Sequence, residues 1–192
     1  MGQTPLVSAR SDDHLREAPV RRRLIHSGRL LQVYDDTVRM PGGHEAGREV
    51  VVHPGAVAVV AIDDADRVVL VRQWRHPIGR ALWELPAGTR DKTGEALQAT
   101  AERELEEEAG FVASRWRPLG QAPLAPGYST EVMHFFAACE LRPGTRDSAP
   151  DELLDVGWFT RSAVAALVSA MEVDVKTLAG LALAGWSVLP HA

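Results

Sequence analysis

Four of the five positions from Glu104 to Glu108 are glutamate, within the stretch "RELEEEAG" at 103–110. On a helical wheel of about 100° per residue with Glu104 at zero, Glu108 falls near 40°, Glu107 near 300° and Glu106 near 200°. Three carboxylates therefore share a face, and Glu106 is read as plain surface. On the same wheel Leu97, Ala101 and Leu105 fall near about 20°, 60° and 100°, so Glu104 and Glu108 sit on or beside the face due for burial. Like charges at i,i+4 cost roughly 0.2–0.5 kcal/mol when exposed, and burial adds a desolvation penalty to the repulsion. Arg103, one turn before Glu107, offsets one charge and not three. A divalent cation would neutralise the rest, and clustered carboxylates suit Mg²⁺ or Mn²⁺, which take oxygen ligands. A solvated acidic helix face is the plainer reading of such a run. No sustained heptad supports a coiled coil.

The elements that must position these residues follow from the rest of the chain. The 192 residues are 45% hydrophobic, which suits one globular domain of ordinary size with a sizeable core. The formal net charge of −5 gives no global basic surface for nucleic acid or an anionic membrane. The single cysteine, Cys139, excludes an intramolecular disulfide and lies in the apolar run "MHFFAACEL", where a buried, inert thiol is expected. That usage fits a reducing, cytoplasmic setting. The N-terminal stretch lacks the apolar core of a secretory signal, and no apolar run approaches the roughly 20 residues needed to span a bilayer.

Residues 1–19 read as a polar tail, and 20–54 as an N-terminal strand region. There "RLLQVYDDTVRM" and "GREVVVHP" flank the turn "PGGHEAG" as an antiparallel pair, with the basic "RRR" at 21–23 a solvated start to the first strand. Residues 55–192 read as the catalytic domain. "GAVAVVAID" and "VVLVRQWR", joined by "DADR", predict a second hairpin whose first strand is fully buried. "ALWELPAG" predicts a short strand, and a helix is expected from about Gly94 to Ala109, capped by Asp91 or Thr93 and ended by Gly110. Strands are expected in "RWRPLGQAPLA", "EVMHFFAACEL" and "LLDVGWF". Two helices close the chain near 161–171 and 174–186, capped by Thr160 and Asp174. The order of strands, helix, strands, helices predicts an α/β fold with a mixed sheet and helices on its faces.

From Gly88 the chain reads "GTRDKTGEALQATAERELEEEAGF". This resembles the Nudix box: a glycine, five residues, a glutamate, seven residues, then R-E-U-x-E-E-x-G-U with U bulky and apolar. Glu95, Arg103, Glu104, Leu105, Glu107, Glu108, Gly110 and Phe111 match in type and spacing. Six residues rather than five separate Gly88 from Glu95, an insertion confined to a loop. The flanks "VLVRQWRHPIGRALWELPAG", "PLAPGYSTEVMHFF", "DELLDVGWF" and "GREVVVHPGAVAVV" are similar to the ADP-ribose pyrophosphatase branch of that superfamily.

The resemblance implies a Nudix-type α/β/α sandwich with a mixed β-sheet plus the small N-terminal antiparallel strand region. It implies a divalent cation held by Glu104 and Glu108, then Glu107, with the main-chain carbonyl of Ala87 completing the set. Arg103 would steady the glutamates, with Glu95 in support. ADP-ribose would be hydrolysed to AMP and ribose 5-phosphate. The general base in such enzymes comes from an acidic loop, here about 145–152. Pro150 stands where some relatives carry the base, which leaves Glu152 first, Asp151 second, or water activated without a dedicated base. Arg75, Glu84 and Glu131 are candidate substrate contacts. In such a family the N-terminal region crosses to a second subunit, so Arg29 and Arg48 would complete the partner's site in a homodimer. Trp74, Trp83 and Tyr128 are candidates for stacking on a base, though core or interface roles are commoner for such residues. Two other readings stay open: hydrolysis of another nucleoside diphosphate sugar such as GDP-mannose, and a sensor that binds ADP-ribose without cutting it.

Overall fold

A computed structural model describes residues 12–92, 94–147 and 153–188. Thr93, Pro150, Asp151 and Glu152 lie outside the described residues, as do the first eleven. By compactness the chain divides into two units, one running to His53 together with Gly127–Thr130, the other Pro54–Pro126 with Glu131 onward.

In the first unit, β1 (Ala18–Ser27), β2 (Gln32–Arg39) and β3 (Glu45–Val52) form a three-stranded antiparallel sheet in that order. The predicted pair is β2 and β3, and Met40–His44 make the turn between them, with Gly43 at φ 88°. β1 begins inside the stretch expected to be tail. Cross-strand ion pairs knit it to β2, Arg22 with Asp36 at 2.6 Å and Arg23 with Asp35 at 2.5 Å. Such exposed pairs contribute little energy but fix register.

The second unit holds two sheets. One is β7–β4–β9–β8, built from β7 (Ala87–Thr89), β4 (Ala56–Ala61), β9 (Val132–Pro143) and β8 (Phe111–Pro123). The other is β10–β5–β6, built from β10 (Leu154–Phe159), β5 (Val68–Arg75) and β6 (Arg80–Glu84). The β4–β9 pairing is parallel and the rest are antiparallel, so the first sheet is mixed. The expected hairpin between β4 and β5 is not formed. The bridge Ile62–Val68 and a bond from Asp63 N to Arg67 O at 3.0 Å close the turn, and the two strands then enter different sheets. Both are buried along their inner lengths, so each finds pairing partners on its own sheet.

β4 separates two cores. Its Ala56, Ala58 and Val60 face a cluster with Phe135, Val164, Leu181 and Trp186, which brings in α2 (Arg161–Ser169) and α3 (Val175–Leu183). Its Val57, Val59 and Ala61 face Ala101, Leu105 and Ala109, the apolar strip of α1 (Leu97–Glu104) and the turn that continues it. The alternation is the period-2 pleat of a strand buried on both faces. Thr160 and Asp174 cap α2 and α3 as expected, each side chain accepting from a backbone N–H three residues on. Cys139 is half-buried rather than buried, because it lies toward the end of β9 beyond the covered stretch. Among the described residues no helix is long and apolar enough to cross a membrane.

Candidate active site

The glutamate helix begins later than its periodicity suggests. Ala96 is the N-cap of α1 and makes no side-chain cap, so Asp91 does not cap it. Instead Glu95, just outside the helix, accepts from Thr100 Oγ1 at 2.8 Å and from Arg103 at 3.3 Å. From Leu105 to Ala109 the helix widens into a π turn, a feature common at functional sites. Gly110 ends it in the left-handed region at φ 76°, where glycine carries no Cβ penalty.

The apolar strip seats this helix and carries two carboxylates inward with it. Glu104 is 9% exposed and Glu108 5%. Both meet the backbone of β7. Glu108 Oε2 accepts from Ala87 N at 2.9 Å. Glu104 lies over Gly88, where a Cβ would stand 2.0 Å from its carboxylate. Ladder bonds at Val59–Pro86 and Gly55–Arg90 bracket the strand, so the intervening Ala87 directs its N–H and C=O away from β4. β7 is the edge of its sheet, and that outward side is where Glu108 sits. Two buried carboxylates and an outward main-chain carbonyl are hard oxygen donors, the set that a magnesium-like cation takes. The residues present therefore fit such an ion. Among the described residues no three acidic, imidazole or thiol groups are already drawn into one cluster.

Arg103 does more than its sequence position suggests. Nη1 lies 2.7 Å from Glu104 Oε1 and 2.8 Å from Glu107 Oε2, while Nε and Nη2 reach Glu95. It touches three carboxylates rather than one. Burial opposes its charge, but hydrogen bonds to Glu95 and Glu107 and the attraction of Glu104 and Glu107 outweigh this and raise its pKa. Glu95 is held below the usual carboxylate range by Arg103 and Thr100. Glu106 is not plain surface: its Oε1 accepts from Thr145 N at 3.1 Å. The widened turn directs it to the end of β9, where Gly144 N also donates to Gly110 O.

Arg75 and Glu84 pair with each other. Arg75 Nε donates to Glu84 Oε1 at 2.7 Å and Nη2 to Oε2 at 2.5 Å. Lys176 of α3, unassigned by the sequence reading, donates to Glu84 as well and to Asp174 Oδ2 at 2.5 Å. The signal for it was a lysine in the otherwise apolar run "VKTLAGLAL". Burial opposes the charge of Glu84, but Arg75 and Lys176 outweigh it and hold its pKa below the usual range. Glu84→Leu alone leaves the buried Lys176 with Asp174 as its remaining carboxylate and is expected to lower stability by about 3 kcal/mol, whereas Glu84→Leu with Lys176→Met should cost less. Denaturant midpoints check both. Because the folded pKa of Glu84 is depressed, its contribution is full above the ordinary glutamate range and is lost as pH falls through the folded value. The acid-side decline in midpoint should be steeper in the parent protein than in the double variant.

The remaining candidates are spread out. Glu131 precedes β9, its carbonyl accepting from Leu124 N. In the first unit Arg29 is exposed, and Arg48 pairs with Glu17. Trp83 packs edge-on against Phe159 at 4.7 Å, a core contact, while Trp74 and Tyr128 are exposed.

The model of the NUDIX domain matches residues 52–179. The ADP-ribose pyrophosphatase of Mycobacterium tuberculosis is 47% identical over 137 residues, which cover 70% of this chain and 66% of that protein, just under two thirds of its length. The ADP-ribose pyrophosphatase of Bacillus subtilis is 38% identical over 166 residues, covering 85% of this chain and 89% of that one. A crystal structure of an ADP compounds hydrolase superposes with a TM-score of 0.75 at 23% identity, covering 89% of this chain and 94% of that chain, a likeness of fold. With a family model spanning more than half of its length and a relative matched almost end to end, the chain belongs to the NUDIX domain family.

Proposed function

We propose that this protein is a metal-dependent pyrophosphohydrolase that cuts the diphosphate of ADP-ribose to give AMP and ribose 5-phosphate. The observation that carries the reading is the pair of buried carboxylates, Glu104 and Glu108, seated on the Ala87–Gly88 backbone. Likeness to two ADP-ribose pyrophosphatases supports the substrate.

Nudix hydrolases generally need a divalent metal. Here Glu104, Glu108, Glu107 and the Ala87 carbonyl would hold it, with Mg²⁺ or Mn²⁺ the fitting ions. When bound, such an ion neutralises diphosphate charge and makes water a better nucleophile near neutral pH. Arg103 steadies Glu95, Glu104 and Glu107, so the acidic face keeps its shape without its cation. Arg75 offers a guanidinium to a phosphate oxygen, and Glu84 fixes that guanidinium rather than touching substrate itself. Glu131 contacts the nucleoside or sugar end. Glu152, then Asp151, takes the proton from water. Homodimerisation through the N-terminal strand region, with Arg29 and Arg48 offered to a second copy, belongs to the same reading. The exposed Val20, Leu24 and Ile25 on edge strand β1 support it.

Incubation with Mg²⁺ and a panel of nucleoside diphosphate sugars in ¹⁸O-labelled water tests the substrate and the phosphorus attacked. ADP-ribose should turn over fastest, with AMP and ribose 5-phosphate as products. Turnover of a guanine or uridine sugar with ADP-ribose untouched would move the protein to another branch.

A further inference from the structure

Among the described residues, the most deeply buried opposite charges of the catalytic unit lie outside the glutamate helix. Glu84 at the end of β6 is 1% exposed, and Lys176 in the first turn of α3 is 6% exposed. A lysine is buried at this level only when paired, and this one holds two carboxylates, Glu84 and Asp174. Asp174 is itself fixed as the α3 cap, with Oδ1 accepting from Thr177 N at 3.0 Å. Thr177 Oγ1 in turn accepts from Leu85 N at 3.0 Å. The first turn of α3 thus grips Glu84 and Leu85, two residues upstream of the Ala87–Gly88 backbone on which Glu104 and Glu108 rest.

Glu84 uses both oxygens on Arg75, and its Oε2 also receives Lys176. It cannot turn without breaking the Lys176 contact, so the Arg75 fork is held in one plane. That pair uses Nε and Nη2 of Arg75, and Nη1 is not part of it. The Arg75 side chain is 41% exposed. Glu84 first, then Asp174 and Glu108, outweigh burial and favour its charged form. Without Lys176, Glu84 Oε2 loses the contact that fixes it, and the carboxylate can turn and carry Arg75 off that orientation.

We propose that Lys176 is a positioning residue for Arg75: acting through Glu84, it holds the guanidinium in the orientation that receives a phosphate oxygen of the nucleoside diphosphate. This rests on the reading of Arg75 as a diphosphate contact. A lysine that only stabilised the fold would lower the denaturation midpoint and leave substrate affinity alone.

The test is a double-mutant cycle on the full-length protein with ADP-ribose as probe. Kd is read by calorimetry in EDTA, and KM and kcat are read with Mg²⁺. Lys176→Met should raise both Kd and KM about tenfold and change kcat less than about threefold, as loss of a charge-assisted phosphate contact does. In an Arg75→Ala background, Lys176→Met should change them less than about twofold, because the two act as one unit. Unchanged Kd and KM in Lys176→Met, or independent, multiplying effects in the cycle, would overturn the proposal. If Arg75→Ala itself leaves Kd and KM unchanged, the reading of Arg75 fails and the proposal falls with it. Should Lys176→Met not fold, Glu84→Leu with Lys176→Met removes both buried charges. It should weaken binding as Arg75→Ala does, and parent-like binding in that variant would overturn the proposal.

Discussion

Replacing Glu108 by glutamine is expected to lower kcat for ADP-ribose about a thousandfold with the fold intact. The substitution keeps side-chain volume and an amide oxygen that can still accept from Ala87 N, the contact Glu108 makes at 2.9 Å. What it removes is the negative charge. At 5% exposure that charge has little water around it, so its loss bears on cation binding rather than on solvation. Circular dichroism and a denaturant midpoint near that of the parent would show that the loss is chemical. Glu106→Gln is the matched control on the same turn. Its carboxylate accepts from Thr145 N, away from β7, so its kcat should stay within about threefold of the parent. Equal turnover in Glu108→Gln and the parent would remove Glu108 from the cation site.

The second large effect is expected at Gly88, a residue with no functional group. A Cβ built there would lie 2.0 Å from the Glu104 carboxyl carbon and 2.5 Å from its Oε2. The strand cannot recede, since Val57 and Gly88 are partners in the β4–β7 ladder. Glu104 must therefore swing out, and Gly88→Ala is expected to weaken Mn²⁺ binding at least about tenfold and to lower kcat/KM at least about a hundredfold. Calorimetric titration of Mn²⁺ into the folded variant separates displaced ligands from unfolding. Parent-like Mn²⁺ affinity in Gly88→Ala would mean that Glu104 does not hold the ion in this position.

Much of the site was legible because its chemistry is local. Arg103, Glu104, Glu107 and Glu108 lie within two helical turns, so the 3.6-residue period places Glu104 and Glu108 beside the buried strip. The same wheel turns Glu106 to the opposite side, and there it does point away from β7; what a local pattern does not carry is its partner, Thr145, 39 residues on. The wheel also assumes a uniform helix, whereas Leu105–Ala109 form a π turn that no residue type in the run announces. The start of α1 was misplaced because Asp91 looks like a cap by type, while the stabilising bonds at that end come from Glu95, Thr100 and Arg103 across the first turns.

The hairpin expected between β4 and β5 shows a different limit. The turn at Asp63–Arg67 is real, with Asp63 Oδ1 accepting from Ala65 N and Arg67 N. A tight turn fixes chain reversal but not which strand lies alongside over the following residues. Two strands with buried apolar runs, Ala56–Ala61 and Val68–Val71, can each be central in a separate sheet, as β4 and β5 are. The lysine in the apolar run "VKTLAGLAL" is visible in the sequence, but its pairing with the distant strand residue Glu84 is not, because only the seating of α3 on Leu85 brings the two together. The edge position of β7, which turns Ala87 toward Glu108, likewise depends on sheet order, which no local pattern encodes.

The central claim is that ADP-ribose is hydrolysed at a cation site built on Glu104 and Glu108. Chelated protein, stripped with EDTA and dialysed, should leave ADP-ribose intact over hours. Titration with Mg²⁺ should restore formation of AMP and ribose 5-phosphate saturably, and Glu104→Gln and Glu108→Gln should shift that titration to higher Mg²⁺ or abolish it. Formation of AMP in EDTA at the rate seen with Mg²⁺, or an Mg²⁺ titration unchanged in both variants, would contradict the account.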